Sequence, residues 1–226
     1  LLNVNFAVAE TKRLATRGAR FVYLRTGPVA GRSPADPCFD SFWRTIEETG
    51  LKVVFHFDVC DYAELISVHY GEDPNRTAYE ISPLQVYHRF LDRPIRDTLA
   101  ALVLHNLFGR FPKVEVVSLE WGSAWVGPLL KDLDKALMFG KHGVQVYGTL
   151  PGLPSEILRQ HLHVSPYYED DVRGLVQLLG MDRVLFGSDF PHPECMKIPV
   201  NFADKLAGFT DGEVRAIMHD NAARLV

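Results

Sequence analysis

The sequence predicts a parallel α/β fold, on three observations. Short strand-like runs alternate with helix-like stretches five times along the 226 residues. The strand runs are apolar at consecutive positions, as expected where helices cover both faces of a parallel sheet. Glycine and proline mark the boundaries between runs, and no hinge-like linker divides the chain. We therefore expect a single domain over residues 1–226.

The first half of the chain alternates helix and strand twice. The predicted elements are a helix at 7–17, a strand at 19–25, a helix at 39–49 and a strand at 51–57. Gly18 and Gly50 follow the two helices, and glycine is the usual residue just past a helix end. Residues 58–93 form the longest connection, and long connections are usually functional.

The second half continues the alternation. The predicted elements are a helix at 95–108, a strand at 114–119, a helix at 126–138, a short helix opening at Pro154, a strand at 163–165, a helix at 169–179, a fifth strand at 183–186 and a closing helix at 211–225. Residues 140–153 carry no clear pattern. The fold class is thus supported along the whole chain.

Composition excludes several classes of protein. The formal net charge is −4 and no long basic cluster is present, so a nucleic-acid partner is not expected. The longest apolar runs are strand-length, well short of the ~20 residues of a membrane span, and no export signal opens the chain. Cys38, Cys60 and Cys195 form no CxxC pair, which favours a reducing, cytoplasmic setting over a disulfide scaffold.

Ionisable residues stand where four predicted strands end. Arg25, His56, Glu120 and Asp189 each follow an apolar run. In parallel barrels the active site is built at the carboxyl ends of several strands. A charged group there is costly unless it is paired or binds a metal, and His with Asp suits Zn²⁺ or a similar divalent ion.

Each of these residues also has an ordinary structural explanation. A His at a strand end is commonly a hydrogen-bonded core residue, and an Asp in a Gly-Ser-Asp sequence is commonly a cap or turn residue. Glu120 could be a salt-bridge partner of Arg25. Three such residues at equivalent strand ends nevertheless favour a site.

The segment from Arg183 to His192 carries the most specific motif. Its sequence, Arg-Val-Leu-Phe-Gly-Ser-Asp-Phe-Pro-His, resembles the final strand of the amidohydrolase superfamily, in the amidohydrolase-2 group, which includes decarboxylases. The resemblance implies a TIM (β/α)8 barrel in which Asp189 lies on the metal. Further segments resemble that family's fourth to seventh strands and closing helix, in the correct order: 18–24, 53–56, 111–122, 164–169 and 221–225. The resemblance also makes His56 a metal ligand.

The sequence departs from the family pattern in two ways. The family's first strand carries a His-x-His pair of metal ligands, and residues 1–30 contain no His. We therefore expect a partial barrel that begins at strand four, with Leu1–Phe6 as a remnant of strand three and further ligands outside this chain. The family often has a catalytic His at the end of strand six, where this chain has Glu120. A carboxylate can still act as a general base or metal ligand.

These observations predict a metal-dependent hydrolase acting on a small, acidic or cyclic organic substrate. Zn²⁺ held by His56 and Asp189 would activate a water molecule, with Asp189 and Glu120 as catalytic residues. Arg25, Tyr62, Trp121 and His192 are the expected substrate-binding residues. The resemblance also implies a homodimer.

Two alternatives remain open from the sequence. The first is a non-oxidative decarboxylase that uses the same metal site. The second is a non-catalytic protein with a decayed site, which Glu120 and the missing His-x-His pair both favour.

Overall fold

Parallel strands form the central sheet. The computed structural model describes residues 1–57, 62–77, 80–140, 143–193 and 195–226. Within these residues the sheet has four strands in chain order, all parallel. They are β1 at Phe21–Leu24, β2 at Lys52–His56, β3 at Val116–Leu119 and β4 at Leu162–Val164. The predicted parallel α/β fold is confirmed, and four of the five predicted strands form.

Helices connect the strands and cover one face of the sheet. They are α1 Val4–Thr16, α2 Asp40–Thr49, α3 Tyr62–Ser67, α4 Pro83–Phe90, α5 Arg93–Leu104, α6 Leu107–Arg110, α7 Val126–Gly140, α8 Pro154–His161, α9 Val172–Leu179, α10 Asp211–Arg215 and α11 Asn221–Ala223. Short 3-10 helices lie at Pro37–Phe39, Val68–Tyr70, Met181–Arg183 and Pro199–Leu206. Among the helices of the described residues, none combines the length and apolar character needed to cross a membrane.

Local signals explain most helix boundaries. Gly50 ends α2 in the left-handed conformation, at φ 72°, which costs glycine little. Proline opens α8 at its first position, where no backbone donor is needed. Asn106, at φ 53°, breaks the helix predicted at 95–108 into α5 and α6. The predicted closing helix is interrupted by a π turn at Ala216–Asp220.

Two predicted strands, one at the start of the chain and one at 183–186, were wrong. The segment Leu1–Phe6 is not a strand remnant, because the Asn3 side chain accepts a hydrogen bond from the Phe6 amide at 3.0 Å and starts α1. The predicted strand at 183–186 is reduced to one bridge between Val164 and Val184. On the other side of the 183–186 segment, the Phe186 amide donates to Ile217 O of the π turn at 3.0 Å. Among the described residues, the π turn thus takes the place that a neighbouring strand would occupy.

The two faces of the sheet have different partners. Val53, Phe55, Val116 and Val164 join a large core with the helices, in which Trp43 and Trp125 are fully buried. Burying a large apolar side chain contributes about 2–3 kcal/mol. The alternate positions face the other way, where Val54, Val117 and Leu185 pack with Leu225 in a small separate cluster. His56 and Leu119 continue that second row to the carboxyl ends of the strands.

A polar network lies at the amino ends of the strands on this second face. Glu115 lies 2.7 Å from Lys52 Nζ and 3.1 Å from Arg183 Nη1. His163 Nε2 lies 3.2 Å from Glu115 Oε1 and 3.0 Å from Arg183 Nη1. The buried His163 Nδ1 has no partner among the described residues, so we assign the ring proton to Nε2. His163 therefore donates to Glu115, and its approach to Arg183 is not a hydrogen bond.

Candidate functional site

A cavity of about 440 Å³ opens at the carboxyl end of the sheet. Its polar lining includes His56 at the end of β2, Glu120 after β3 and Asp189 after the 184–186 segment. Its walls include six aromatic side chains: Phe57, Phe90, Tyr167, Tyr168, Phe186 and Phe202. The cavity therefore combines a small ionisable patch with surfaces suited to a planar apolar group.

Both carboxylates at this cavity sit on left-handed backbone. Glu120 has φ 60° and Asp189 has φ 52°, a region that costs a non-glycine residue about 1–2 kcal/mol. Side chains alternate along an extended strand, and Leu119 already faces the cavity. An extended Glu120 would point to the opposite face. The left-handed turn instead returns its side chain to the cavity, and such outliers cluster at functional sites.

Three ionisable lining residues, His56, Glu120 and Asp189, are linked by contacts in which His192 takes part from just outside the lining. His192 Nδ1 lies 3.0 Å from Asp189 Oδ1 and 3.4 Å from Glu120 Oε1. Glu120 Oε2 lies 3.1 Å from His56 Nε2. One potential ligand atom from each of Glu120, Asp189 and His192 lies within 4.8 Å of the others. We refer to His56, Glu120, Asp189 and His192 as the rim cluster.

The charge balance of the rim cluster suits a divalent cation. Burial, and then the charge of Asp189, raise the pKa of Glu120 above its usual value, so this carboxylate gains from a nearby positive charge. His56 Nδ1 lies 2.7 Å from Phe57 O, and we assign it as the donor of that bond. The Nε2 lone pair then faces Glu120 Oε2 at 3.1 Å. Two acceptors this close repel each other unless a proton or a metal ion is shared by both. Nitrogen and carboxylate donors together fit Zn²⁺ or Mn²⁺.

The other sequence-predicted residues lie elsewhere. Arg25 lines a second cavity, of about 500 Å³, beyond β1. Trp121 is buried, with its ring 5.0 Å from that of Phe57, and borders a third cavity of about 270 Å³. Neither lines the cavity of the rim cluster. Tyr62 begins α3, and its side chain lies outside the described part of the chain, as does Cys60.

Sequence reasoning missed Tyr167, which lines the cavity from the loop after β4. Its hydroxyl donates to the main-chain oxygen of Glu120 at 2.8 Å. Burial, followed by the charges of Glu120 and Asp170, raises the pKa of Tyr167 to about 12, so the hydroxyl remains a donor at neutral pH. The signal was its place in the short loop that follows the predicted strand at 163–165.

The described fold and site agree with a known family. A family model described as Amidohydrolase matches residues 3–226. The chain belongs to this amidohydrolase family. Its parallel sheet and helices are those of the family's TIM barrel, of which the chain forms part. No curated protein matches the sequence of this family member.

Solved structures of larger chains superpose on this chain. An amidohydrolase from Mycobacterium avium subsp. paratuberculosis K-10 is 37% identical with a TM-score of 0.87, over 100% of this chain and 56% of that one. The 5-carboxyvanillate decarboxylase of Sphingomonas paucimobilis is 20% identical with a TM-score of 0.78, over 99% and 63%. That of Novosphingobium aromaticivorans, with bound manganese, is 15% identical with a TM-score of 0.78, over 97% and 61%. The chain thus spans little more than half the length of its 37%-identical relative.

Proposed function

We propose that this chain belongs to a metal-dependent enzyme that removes the carboxyl group of a small aromatic acid without oxidation. One observation carries the proposal: the rim cluster lies beside the aromatic walls of a cavity of about 440 Å³. An aromatic ring can stack within such walls while its carboxylate reaches the cluster. Two of the structural relatives are decarboxylases of 5-carboxyvanillate, and another is a 2,6-dihydroxybenzoate decarboxylase.

His56 and Asp189 would hold the divalent ion together with Glu120. Glu120 and Asp189 belong to the group of ligand atoms that lie within 4.8 Å of one another, and His56 joins that group through its 3.1 Å contact with Glu120. Manganese is bound in a related 5-carboxyvanillate decarboxylase and in a related dihydroxybenzoic acid decarboxylase, and the donor set also suits zinc. The bound ion would orient the substrate carboxylate and offset its negative charge. The Nδ1 contact of His56 with Phe57 O, at 2.7 Å, fixes the ring with Nε2 facing Glu120, where it would be available to hold the ion.

Asp189 and His192 would handle the proton. When the carbon–carbon bond breaks, CO₂ leaves and the electron pair stays on the ring carbon, which then takes a proton from the Asp189 carboxyl. His192 Nδ1, 3.0 Å from Asp189 Oδ1, would return a proton to Asp189. The side chain of His192 is 51% exposed and can exchange that proton with water. Glu120, only 13% exposed, is better placed as a fixed charge than as a proton carrier.

The test is CO₂ release from a panel of hydroxybenzoic and muconate-like acids, with added Mn²⁺ or Zn²⁺. We expect release of CO₂ with recovery of the ring product, and loss of activity on metal removal. His56→Ala and Asp189→Asn should each lower both metal content and turnover by at least about tenfold. His219→Ala is the matched control, because His219 is 70% exposed and pairs with Asp220 outside the cluster.

Hydrolysis on the same cluster is the second candidate. Its support is the 37%-identical chain, which is itself an amidohydrolase. Turnover of esters, amides or lactones without CO₂ release would reject the decarboxylase and favour this candidate. Unchanged metal content in both ligand variants would reject the ligand assignment, and a protein with neither metal nor turnover would have a decayed site.

A further inference from the structure

We propose that Asp170 and Tyr167, in the loop after β4, are positioning residues that hold Glu120 in the rim cluster. The inference rests on the metal site of the proposed function. Both residues act through the backbone of 120–123, the loop after β3. Together with Ser123 we call them the loop brace.

Asp170 ties the two loops together through one oxygen atom. Its Oδ2 accepts from the Ser123 amide at 2.7 Å and from the Ser123 hydroxyl at 2.9 Å. The same atom accepts from the Tyr167 amide at 2.9 Å. Hydrogen bonds to an ionised carboxylate are among the stronger ones in proteins. Asp170 thus fixes the far end of the 120–123 loop against its own loop.

Tyr167 fixes the near end of the same loop. Its hydroxyl donates to Glu120 O at 2.8 Å. Its ring covers Gly122, where an added Cβ would lie 2.7 Å from a ring carbon. Gly122 also has φ 60°, so this position requires glycine for space and for conformation.

These contacts bear on the metal site because Glu120 has an unfavourable backbone conformation. At φ 60° its side chain turns back to His56 and His192. If the carbonyl of Glu120 and the amide of Ser123 were released, the backbone could relax toward the extended region, which faces the opposite side of the sheet. The brace therefore sets the distance between the Glu120 carboxylate and the rest of the rim cluster.

The experiment compares Asp170→Ala and Tyr167→Phe with Asp171→Ala as control. Asp171 accepts from the Gly174 amide at 2.9 Å and caps α9, so its loss tests helix capping next to the brace. Mn²⁺ affinity is measured by titration calorimetry, and the ring nitrogens of His56 by NMR of histidine-labelled, metal-free protein. Melting temperature and circular dichroism check that each variant folds.

We expect Asp170→Ala to weaken Mn²⁺ binding by about tenfold or more and to shift the His56 Nε2 resonance. Tyr167→Phe, which keeps the ring over Gly122, should give smaller changes of the same kind. Asp171→Ala should lower the melting temperature without either change. Wild-type affinity and wild-type histidine resonances in both brace variants would overturn the inference. A wild-type protein that binds no Mn²⁺ would count against the proposed function. The comparison of His56 resonances between the wild type and the variants would then be the test of the loop brace.

Discussion

Glu115 offers a quantitative test of the polar network at the amino ends of the strands. The perturbation is Glu115→Gln, which keeps the size of the side chain and removes its charge. Lys52 Nζ, at 2.7 Å, and Arg183 Nη1, at 3.1 Å, would lose their common carboxylate. We expect the variant to be less stable than the wild type at neutral pH.

The magnitude follows from the pKa of this carboxyl. The hydrogen bond from His163, and next that from Lys52, lower the pKa of Glu115 from its usual 4.5 to about 2. At 1.36 kcal/mol per pKa unit, the charged form gains at most about 3 kcal/mol on folding. The side chain is 26% exposed, and solvent screening reduces this to about 2 kcal/mol.

The sign determines the pH window. Because the folded pKa is lower than the unfolded one, the contribution is complete above pH 4.5 and is lost as the pH falls toward 2. Urea unfolding of the wild type and Glu115→Gln should therefore differ by about 2 kcal/mol at pH 7, and by at least about 1 kcal/mol less at pH 3. Glu10→Gln, which removes only a surface i,i+3 ion pair with Arg13 on α1, is the control and should change the free energy of unfolding far less than Glu115→Gln does. A stability difference that is independent of pH would refute the reasoning.

Two further predictions concern packing beside the site. Gly187→Ala places a Cβ 2.4 Å from Ser165 Oγ but 3.5 Å from Ser165 Cβ, so it should cost about 1–3 kcal/mol of unfolding free energy. Ser165→Ala should restore most of that loss in a double-mutant cycle, and additive effects would contradict the contact. Asn221 Nδ2 donates to Met181 O and Val184 O, each at 2.8 Å. Asn221→Ala should cost about 2–4 kcal/mol by thermal unfolding, and a loss below about 0.5 kcal/mol would show that water replaces the amide.

The sequence predicted most of the fold, because burial leaves a strong pattern. Val53, Val116 and Val164 lie in apolar runs that end at turn residues, and each forms a buried strand position. The failures occurred where a neighbour decides the structure. Val184 lies in an equally apolar run, yet it pairs with a strand on one side only, because the π turn occupies the other. No periodicity within residues 183–186 could reveal that.

The candidate site was partly predictable for a related reason. Parallel strands bring their carboxyl ends to one edge, so His56, Glu120 and Asp189 were expected to approach one another. In the structure His56 contacts Glu120 directly, and His192 links Glu120 to Asp189. Trp121 follows Glu120 directly in the sequence, yet it packs against Phe57 in the core. The left-handed backbone of Glu120 breaks the alternation of side chains along the strand. Position in the sequence alone therefore does not predict which way Glu120 and Trp121 face.

The geometry of the rim cluster depends on contacts that offset the repulsion between the Glu120 and Asp189 carboxylates. Glu120 and Asp189 are brought together on two left-handed residues, an arrangement unfavourable in both charge and backbone conformation. The charge is offset locally, since His192 lies between the two carboxylates and His56 lies on the far side of Glu120. The backbone of Glu120 is held by Tyr167, from a different loop. These contacts together keep the Glu120 carboxylate beside His56 and His192. This geometry suits the cation site proposed above, and two of the residues that support it, His56 and Tyr167, lie outside the most recognisable sequence motif.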